Sequence, residues 1–494
     1  MINYLLPDRQ TAGDRNPIER GSRLSGFRSV TGCLFLAFLT PGWPQVPAVS
    51  EPIGELVAGI ERNVEIAPNQ RYGLNMVLAS RPSVITVSPG YLGLKLTIRA
   101  SNGEELLAVD NPFQQTGEYA HFDPPYAGAF VAEISTSSHG PSTDEVTIAL
   151  AQPTLLPVQY QASQQLTIAG KLGIGVDVSK AGKPLDELTV AYRQVGDLWQ
   201  IAGDSYQHGR AAMVHGWLAA WDLENGSAEA SYELAIELLA QTNPMTPWAY
   251  IGLGAAQFQL DNSIAARRSF EEAGRLTKGR DLRANSAATN FLGLLEQSAG
   301  RPQEAAHWYR EVLAILEQSD YPSQEAVTLG NLGGTYFQMG QFQKALPYFL
   351  RALTLHESAG DREEQATMLG NIASLFREQG SLQKSLTYNL QTLDVYRSLS
   401  NELGVSLVQH RLGLLYQRMG DYRRAQRFLS QAYASRKAQG SLRRSASSLR
   451  ALGALHNERG QTQKAQAVLR EAIDIYRELD NNSGLARSQA ELAE

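Results

Sequence analysis

Glycines recur every forty residues through the second half of this 494-residue chain. Three further columns of mostly small residues repeat at the same interval. A chain built from such units forms its core by stacking each unit on the next, because one unit alone cannot bury its apolar face. The repeat therefore predicts an extended array rather than one compact core. The glycines of the main column are Gly300, Gly340, Gly380, Gly420 and Gly460.

Each repeat unit has the apolar spacing of two helices. In the unit that contains Gly340, small residues Gly333 and Ala345 stand where the two helices must approach closely. Gly340 separates the helices, at a turn that favours a residue without a β-carbon. The larger residues of the unit are Leu329, Leu332, Tyr336, Phe349 and Leu353.

These residues resemble the tetratricopeptide repeat family, whose pattern is a large residue, Leu-Gly, Tyr, Ala, Phe and Ala. The pattern is met by Leu329, Leu332-Gly333, Tyr336, Ala345, Phe349 and Ala352. The family unit has about thirty-four residues, whereas the unit here has forty and lacks the closing proline. Forty-residue versions resemble kinesin light chains and bacterial regulatory repeat proteins. The resemblance implies a mainly α fold, a right-handed α-solenoid of about seven helix-turn-helix repeats over residues 185–494, regular from about 285.

Residues 51–155 have short alternating segments bounded by turn residues. Leu94, Leu96 and Ile98 share one face, which is the period of a half-buried strand. We expect a small antiparallel β-sandwich before the repeats, and the segment resembles the pre-peptidase C-terminal-like domains of secreted bacterial proteins. Its acidic residues are scattered without the dense spacing of a calcium loop, so they predict solvated faces. Residues 156–184 are interpreted as a linker.

The first fifty residues contain a basic stretch, an apolar run from Cys33 to Leu39, and small residues at Val46 and Ala48. This order is typical of a secretory signal cleaved near Val49, and a disordered extension is the alternative. The apolar run is far shorter than a bilayer span, so no stable membrane span is predicted. Export from a bacterium is the expectation, and a cytoplasmic location is the alternative.

Motifs for chemistry are absent from the sequence. Cys33 is the only cysteine, which excludes a disulfide framework and a cysteine-based zinc site. There is no phosphate-binding loop, zinc-protease motif or nucleophile elbow. His208 and His215 lack a third ligand in register and are interpreted as ordinary polar residues. We expect no enzyme activity, no catalytic or metal-binding residue and no cofactor.

Candidate partner-binding residues lie on the first helix of each unit, beside the positions of Leu332, Gly333 and Tyr336 and their equivalents in the other repeats. If the array curves like its relatives, these side chains line a concave groove. The asparagines can hold an extended peptide through their amides, or they can bond a neighbouring helix instead. The lysines of the family's carboxylate clamp are missing. The candidates are Asn331, Asn371, Arg377, His410, Arg411, Arg418 and Arg450.

Residues 411–450 form a basic block, with ten Lys or Arg residues against Asp421 alone and a net charge of +9. Arg423, Arg424 and Arg427 are at its centre. Such a one-sided block predicts an acidic protein partner or a phosphate-bearing ligand, although an unused surface is the alternative. Nucleic acid ranks below protein, because the aromatic residues of the block mostly belong to buried repeat columns.

The order of a β-sandwich followed by repeats resembles the N-terminal part of bacterial CHAT-domain proteins, which end in a caspase-like protease domain. Two functions follow from the sequence. The first is a non-catalytic scaffold that binds a protein or peptide through the concave face and the basic late repeats. The alternative is the regulatory part of a protease effector whose catalytic domain is truncated or separate.

Overall fold

A computed structural model describes residues 54–58, 61–66, 70–78, 83–87, 94–109, 118–122, 124, 128–136, 144–151, 157–173, 183–222, 224–317, 319 and 321–493. The signal-like segment 1–50 lies outside the described residues, so export stays a prediction. The chain divides into two compact units, and the boundary falls between Thr328 and Leu329.

The first unit begins with two β-sheets. The orders are β1-β3-β8-β5-β6 and β2-β9-β4-β7, and all neighbours are antiparallel except β1 and β3. The strands are β1 Gly54–Leu56, β2 Glu61–Ile66, β3 Arg71–Leu78, β4 Ser83–Val87, β5 Leu94–Ala100, β6 Glu105–Val109, β7 Glu118–Phe122, β8 Gly128–Thr136 and β9 Asp144–Ala151. The antiparallel sheet region predicted before the repeats is confirmed.

One core joins the two sheets. Leu74 and Ile98 of the first sheet pack in the same apolar cluster as Ile85 and Ile148 of the second. The alternation on β3, where Leu74 and Met76 are buried and Asn75 between them is exposed, follows from the strand period of two. The sheets therefore pack face to face.

The outer face of the first sheet buries a carboxylate. Glu133 on β8 is 2% exposed and lies 3.7 Å from Arg71 Nη1 and 3.6 Å from Arg99 Nε. A buried charge needs such partners, because taking it out of water is costly. The two arginines cover it from the neighbouring strands β3 and β5.

The helices of the first unit follow the sheets. They are α1 Pro157–Gly173, α2 Lys183–Ile201, α3 Ser205–Trp221, α4 Asn225–Leu238, α5 Thr246–Gln259, α6 Ser263–Thr277, α7 Leu282–Ser298 and α8 Pro302–Leu316. Helix α9, Pro322–Gln338, contains the boundary between the units. The segment interpreted as a linker, 156–184, includes α1, which packs against β6 and β7. Its fully buried side chains include Ala162 and Ala169, and alanines give a weak apolar signal in a sequence.

The second unit continues with antiparallel helix pairs. Its helices are α10 Phe342–Ala359, α11 Arg362–Glu378, α12 Leu382–Ser398, α13 Glu402–Arg418, α14 Tyr422–Ala438, α15 Leu442–Glu458, α16 Thr462–Glu478 and α17 Asn482–Ala493. Pairs such as α11 with α12 and α13 with α14 make the densest contacts. The mainly α fold of stacked helix pairs is confirmed.

The glycine columns have the roles that the sequence predicts. Gly340 and Gly420 both lie in the left-handed region, with φ of 71° and 77°, which explains glycine at the turn inside each pair. A β-carbon at Gly333 would lie 2.8 Å from the Phe349 ring, and one at Gly413 would lie 2.5 Å from Leu429 Cγ. Glycine at these positions lets the two helices of a pair approach.

Candidate protein-binding surface

The predicted asparagines occupy equivalent places on successive first helices of the second unit. Asn331 on α9 and Asn371 on α11 are both half-buried. The Asn331 carbonyl accepts a hydrogen bond from Thr335 Oγ1 at 2.8 Å, so the local backbone is tied down. Asn331 and Asn371 are forty residues apart and hold the same position in adjacent repeats.

Two predicted arginines form ion pairs within the chain. Arg377 Nη2 lies 2.7 Å from Glu378 Oε1, and Arg450 on α15 pairs with Glu491 on α17 at 2.5 Å. Asn457 Nδ2 also donates to the Glu491 carbonyl, at 2.6 Å. These contacts tie α15 to the last helix and leave less free charge on this face than the sequence suggests.

His410 lies in the interior rather than on the accessible face that the sequence predicts. It is 5% exposed, and its Nδ1 is 3.3 Å from Ser448 Oγ on α15. Burial, followed by the charges of Arg436, Arg450 and Arg411, holds the pKa of His410 well below its ordinary value. A partner cannot reach this side chain.

Part of the basic block is also internal. Arg436 is 3% exposed, and its Nη1 donates to Ser448 Oγ at 2.8 Å and to the Arg444 carbonyl at 3.0 Å. Burial lowers the pKa of Arg444. Arg436 therefore joins α14 to α15 and is not part of a surface.

On α14, the exposed basic residues of the block lie toward opposite ends of the helix. Arg423 and Arg427 are in its first two turns, whereas Lys437 is in its last turn and pairs with Glu471 at 3.4 Å. Arg423 and Lys437 are about 21 Å apart along the axis, at about 1.5 Å per residue. The block is thus two smaller surfaces. Within the described part of the chain, its exposed arginines without an ion pair are Arg418, Arg423, Arg427 and Arg443.

A stacked aromatic pair recurs in the second unit and is not among the features predicted from the sequence. Tyr336 stacks on Tyr348 at 5.5 Å between ring centroids, and Tyr416 stacks on Phe428 at 5.6 Å. The pair at the same position in the repeat between them, Phe376 with Tyr388, is also 5.6 Å apart. An aromatic residue twelve positions before another, at the forty-residue offset, was the available signal.

A cation covers the first ring of each stack. Lys344 Nζ is 5.7 Å from the Tyr336 centroid, and Lys384 Nζ is 5.3 Å from the Phe376 centroid. Arg424 lies 5.4 Å above Tyr416 and also pairs with Asp421 at 3.3 Å. With Lys464, which occupies the same place in the next repeat, these residues form what we call the cation ladder.

The cation ladder opposes the helix dipole. Each member is the third residue of its helix, α10, α12, α14 or α16, and none of these first turns contains an acidic residue. A cation in that place costs a helix about 0.3–1 kcal/mol, because the amino-terminal end carries partial positive charge. The ring beneath each of the first three cations offsets part of this cost.

In the first unit, His215 belongs to a buried polar chain. Its Nδ1 is 2.7 Å from Ser231 Oγ, and Arg193 Nε donates to its Nε2 at 3.4 Å. Since the Ser231 hydroxyl donates to the Ser227 carbonyl, Nδ1 of the neutral ring is the donor to Ser231. Burial first, and Arg193 second, lower the pKa of His215. His208 is also buried, with 9% exposure, so both histidines lie within the helix packing.

Among the described residues, no cluster of three His, Cys, Asp or Glu side chains could hold a metal ion. No described helix has the length and apolar character needed to cross a membrane.

Family models described as tetratricopeptide repeat match four segments, residues 247–272, 286–319, 324–398 and 404–478. The matches cover the helical array from α5 to α16. A search of curated proteins found no match.

The solved structures that are similar to this chain include the following three. BtubC from P. vanneervenii is 27% identical, with 45% of this chain and 92% of that chain covered and a TM-score of 0.41. The apo form of the quorum sensor NprR from B. thuringiensis is 17% identical, with 65% and 89% covered and a TM-score of 0.49. A signal transduction ATPase with a tetratricopeptide repeat sensor from Pyrococcus horikoshii is 14% identical, with 63% and 49% covered and a TM-score of 0.49. This chain spans about half the length of the last protein. The resemblance to CHAT-domain proteins stays a prediction.

Proposed function

Because family models of the tetratricopeptide repeat match four segments between residues 247 and 478, we propose that this chain is a non-catalytic scaffold that binds a protein or peptide partner. A stack of helix pairs exposes the same face of every first helix, and this gives a long continuous surface for one extended ligand. Asn331 and Asn371 are half-buried at one position of that face. Their amides donate to and accept from a peptide backbone.

The partner is acidic where it meets the late repeats. The observation that carries this proposal is the set of exposed arginines without ion pairs at one end of the α13–α14 pair, Arg418, Arg423 and Arg427. Uncompensated charge of one sign speeds the encounter with an oppositely charged partner and selects against a like-charged one. His410 and Arg436 are buried and support the packing of α13, α14 and α15 rather than this surface.

The aromatic rings of the late repeats favour a protein partner over nucleic acid, because their faces already make contacts within the chain. Single strands bind through bases that stack on free ring faces. Tyr416 has Phe428 on one side and the Arg424 guanidinium within 5.4 Å of its centroid. Its ring is therefore already used within the chain.

Affinity purification of the full chain with mass spectrometry tests the proposal. The variant Arg418→Glu/Arg423→Glu/Arg427→Glu should lose the captured partner, and Asn331→Ala/Asn371→Ala should weaken its capture. Arg470→Glu is the matched control, because Arg470 is equally exposed and unpaired but lies in the middle of α16. Equal capture by all four proteins would contradict the proposed surface.

A further inference from the structure

Polar contacts join the last helix of the second unit, α17, to α15. Arg450 Nη1 on α15 lies 2.5 Å from Glu491 Oε1, and Asn457 Nδ2 donates to the Glu491 carbonyl at 2.6 Å. Arg450 and Asn457 are about two helical turns apart, so they share one face of α15. Together they bind the carboxylate and the backbone carbonyl of one glutamate residue. We call Arg450 and Asn457 the glutamate site.

This joint differs from the equivalent joints of earlier repeats. At the position of Arg450, one repeat earlier, His410 Nδ1 lies 3.3 Å from Ser448 Oγ on the next first helix. Three repeats earlier the residue is Gly330, where a β-carbon would lie 3.2 Å from Met368 Cε. Neither earlier contact joins two charged groups. The ion pair therefore belongs to the joint between α15 and α17 and not to the repeat pattern.

Glu491 is held weakly by its own helix. It stands in the last turn of α17, which has no basic residue, so its carboxylate lies at the negative end of the helix dipole. Gly484 fixes the first turn, since a β-carbon there would lie 2.4 Å from Tyr476 Cε1. Beyond that turn, Ser488 is the one buried residue among those described in α17. Helix ends with few buried contacts fray at low free-energy cost, so Glu491 can leave Arg450 when the last turn opens.

The glutamate site continues the surface proposed to bind a partner. Gln417 Nε2 donates to Glu458 Oε1 at 2.6 Å, and this bond joins the carboxyl-terminal ends of α13 and α15. Arg418 and Asn457, the neighbours of these two residues in the sequence, therefore lie at adjoining helix ends. The Arg450 side chain is 28% exposed. A partner that covers Arg418 is thus close to the glutamate site.

Given the acidic partner proposed above, on which this step rests, we infer that the glutamate site binds an acidic residue of that partner and that Glu491 occupies the site until the partner displaces it. An acidic segment offers what Glu491 offers. Its carboxylate pairs with the Arg450 guanidinium, and its backbone carbonyl accepts from the Asn457 amide. Glu491 is an internal competitor, so the apparent affinity for the partner depends on how often the last turn of α17 is open.

Fluorescence anisotropy of the full chain with a labelled decaglutamate peptide, at about 0.05 M salt, measures this competition. Glu491→Gln removes the competing charge and should tighten peptide binding by roughly threefold or more. Glu478→Gln is the matched control. It removes the same charge from an exposed position of α16 that has no ion pair within the described residues. Its affinity should equal that of the unchanged chain.

A double-mutant cycle shows whether Glu491 acts through Arg450. In the Arg450→Gln background, Glu491→Gln should no longer tighten peptide binding, because the cation for which the two carboxylates compete is gone. If circular dichroism shows that Arg450→Gln fails to fold, Arg450→Lys takes its place. It should reduce the gain from Glu491→Gln, since lysine lacks the forked geometry of the guanidinium.

Hydrogen exchange of the free chain gives a readout that needs no ligand. The amides of residues 489–493 should exchange roughly threefold faster or more in Glu491→Gln than in the unchanged chain, whereas those of α16 should not change. Added decaglutamate should also speed the exchange of residues 489–493 in the unchanged chain, because it releases Glu491.

Equal peptide affinities of Glu491→Gln and the unchanged chain would overturn the inference, as would an equal gain in Glu478→Gln. A full gain in the Arg450→Gln background, unchanged exchange of residues 489–493, or no binding of decaglutamate by any variant would overturn it too. Partner capture by Arg418→Glu/Arg423→Glu/Arg427→Glu tests the proposed function separately. Its failure is therefore distinguishable from failure of the glutamate site.

Discussion

Arg436 Nη1 donates a hydrogen bond to Ser448 Oγ at 2.8 Å, and this contact links α14 to α15. Ser448 Oγ also lies 3.3 Å from His410 Nδ1 on α13. Three helices of two adjacent repeats thus meet at one polar cluster. Some basic residues of the late repeats are therefore buried and stabilise the stacking, whereas others are exposed and available to a partner.

Arg436→Ala should lower the stability of the late repeats by about 2–4 kcal/mol, because it removes a buried group and the hydrogen bonds that this group donates to Ser448 Oγ and to the Arg444 carbonyl. Urea denaturation followed by circular dichroism measures the change. Arg423→Ala, at an exposed position on the same helix, should change stability by less than about 0.5 kcal/mol. Equal effects of the two variants would show that Arg436 is not structural.

Gly413→Ala should destabilise the chain by about 1–3 kcal/mol, because the added methyl group would lie 2.5 Å from Leu429 Cγ. The control is Gly334→Ala on α9, where a methyl group meets nothing within 4 Å. Alanine there should be neutral or stabilising by up to about 1 kcal/mol. The midpoint of thermal unfolding distinguishes the two, and destabilisation of both variants would contradict the close-approach argument.

Glu133→Gln should destabilise the β-sheets by about 1–3 kcal/mol, since it leaves Arg71 and Arg99 beside a neutral buried group. Glu105→Gln removes another carboxylate that pairs with Arg99, but at an exposed position. It should cost less than about 1 kcal/mol. Denaturant unfolding of the two variants checks the order, and a larger loss for Glu105→Gln would refute it.

His410 should make the late repeats sensitive to acid. Its native pKa lies below the ordinary value of about 6.5, so the unfolded chain binds the proton at a higher pH than the folded chain does. Its contribution is present above about pH 6.5 and is lost as the pH falls from there toward the native pKa, by at most about 1.4 kcal/mol per pH unit.

In His410→Gln, the slope of unfolding free energy against pH between about 5.5 and 7 should decrease by up to one proton. Denaturant unfolding at a series of pH values measures it. His307→Gln changes an exposed histidine in the same way. An equal change of slope in both variants would contradict the role of burial at His410.

The sequence predicts the backbone of the repeats better than their charges. Gly340 and Gly333 recur because a turn conformation and a close helix approach are local needs that each unit repeats. The burial of His410 and Arg436 depends instead on contacts between adjacent repeats, which linear spacing does not specify. The spacing of Tyr416, Arg424 and Phe428 does recur in the sequence. It indicates a stack beneath a cation only when the relative register of the two helices is known.

We propose that the exposed arginines of the late repeats bind an acidic protein partner. The most direct measurement is the dissociation constant of the captured partner for the full chain, for Arg418→Glu/Arg423→Glu/Arg427→Glu and for Arg470→Glu. We predict that the triple variant binds the partner at least tenfold more weakly than the unchanged chain, and that this difference grows at low salt. Arg470→Glu should have the same dissociation constant as the unchanged chain. An unchanged dissociation constant for the triple variant at every salt concentration would contradict the claim.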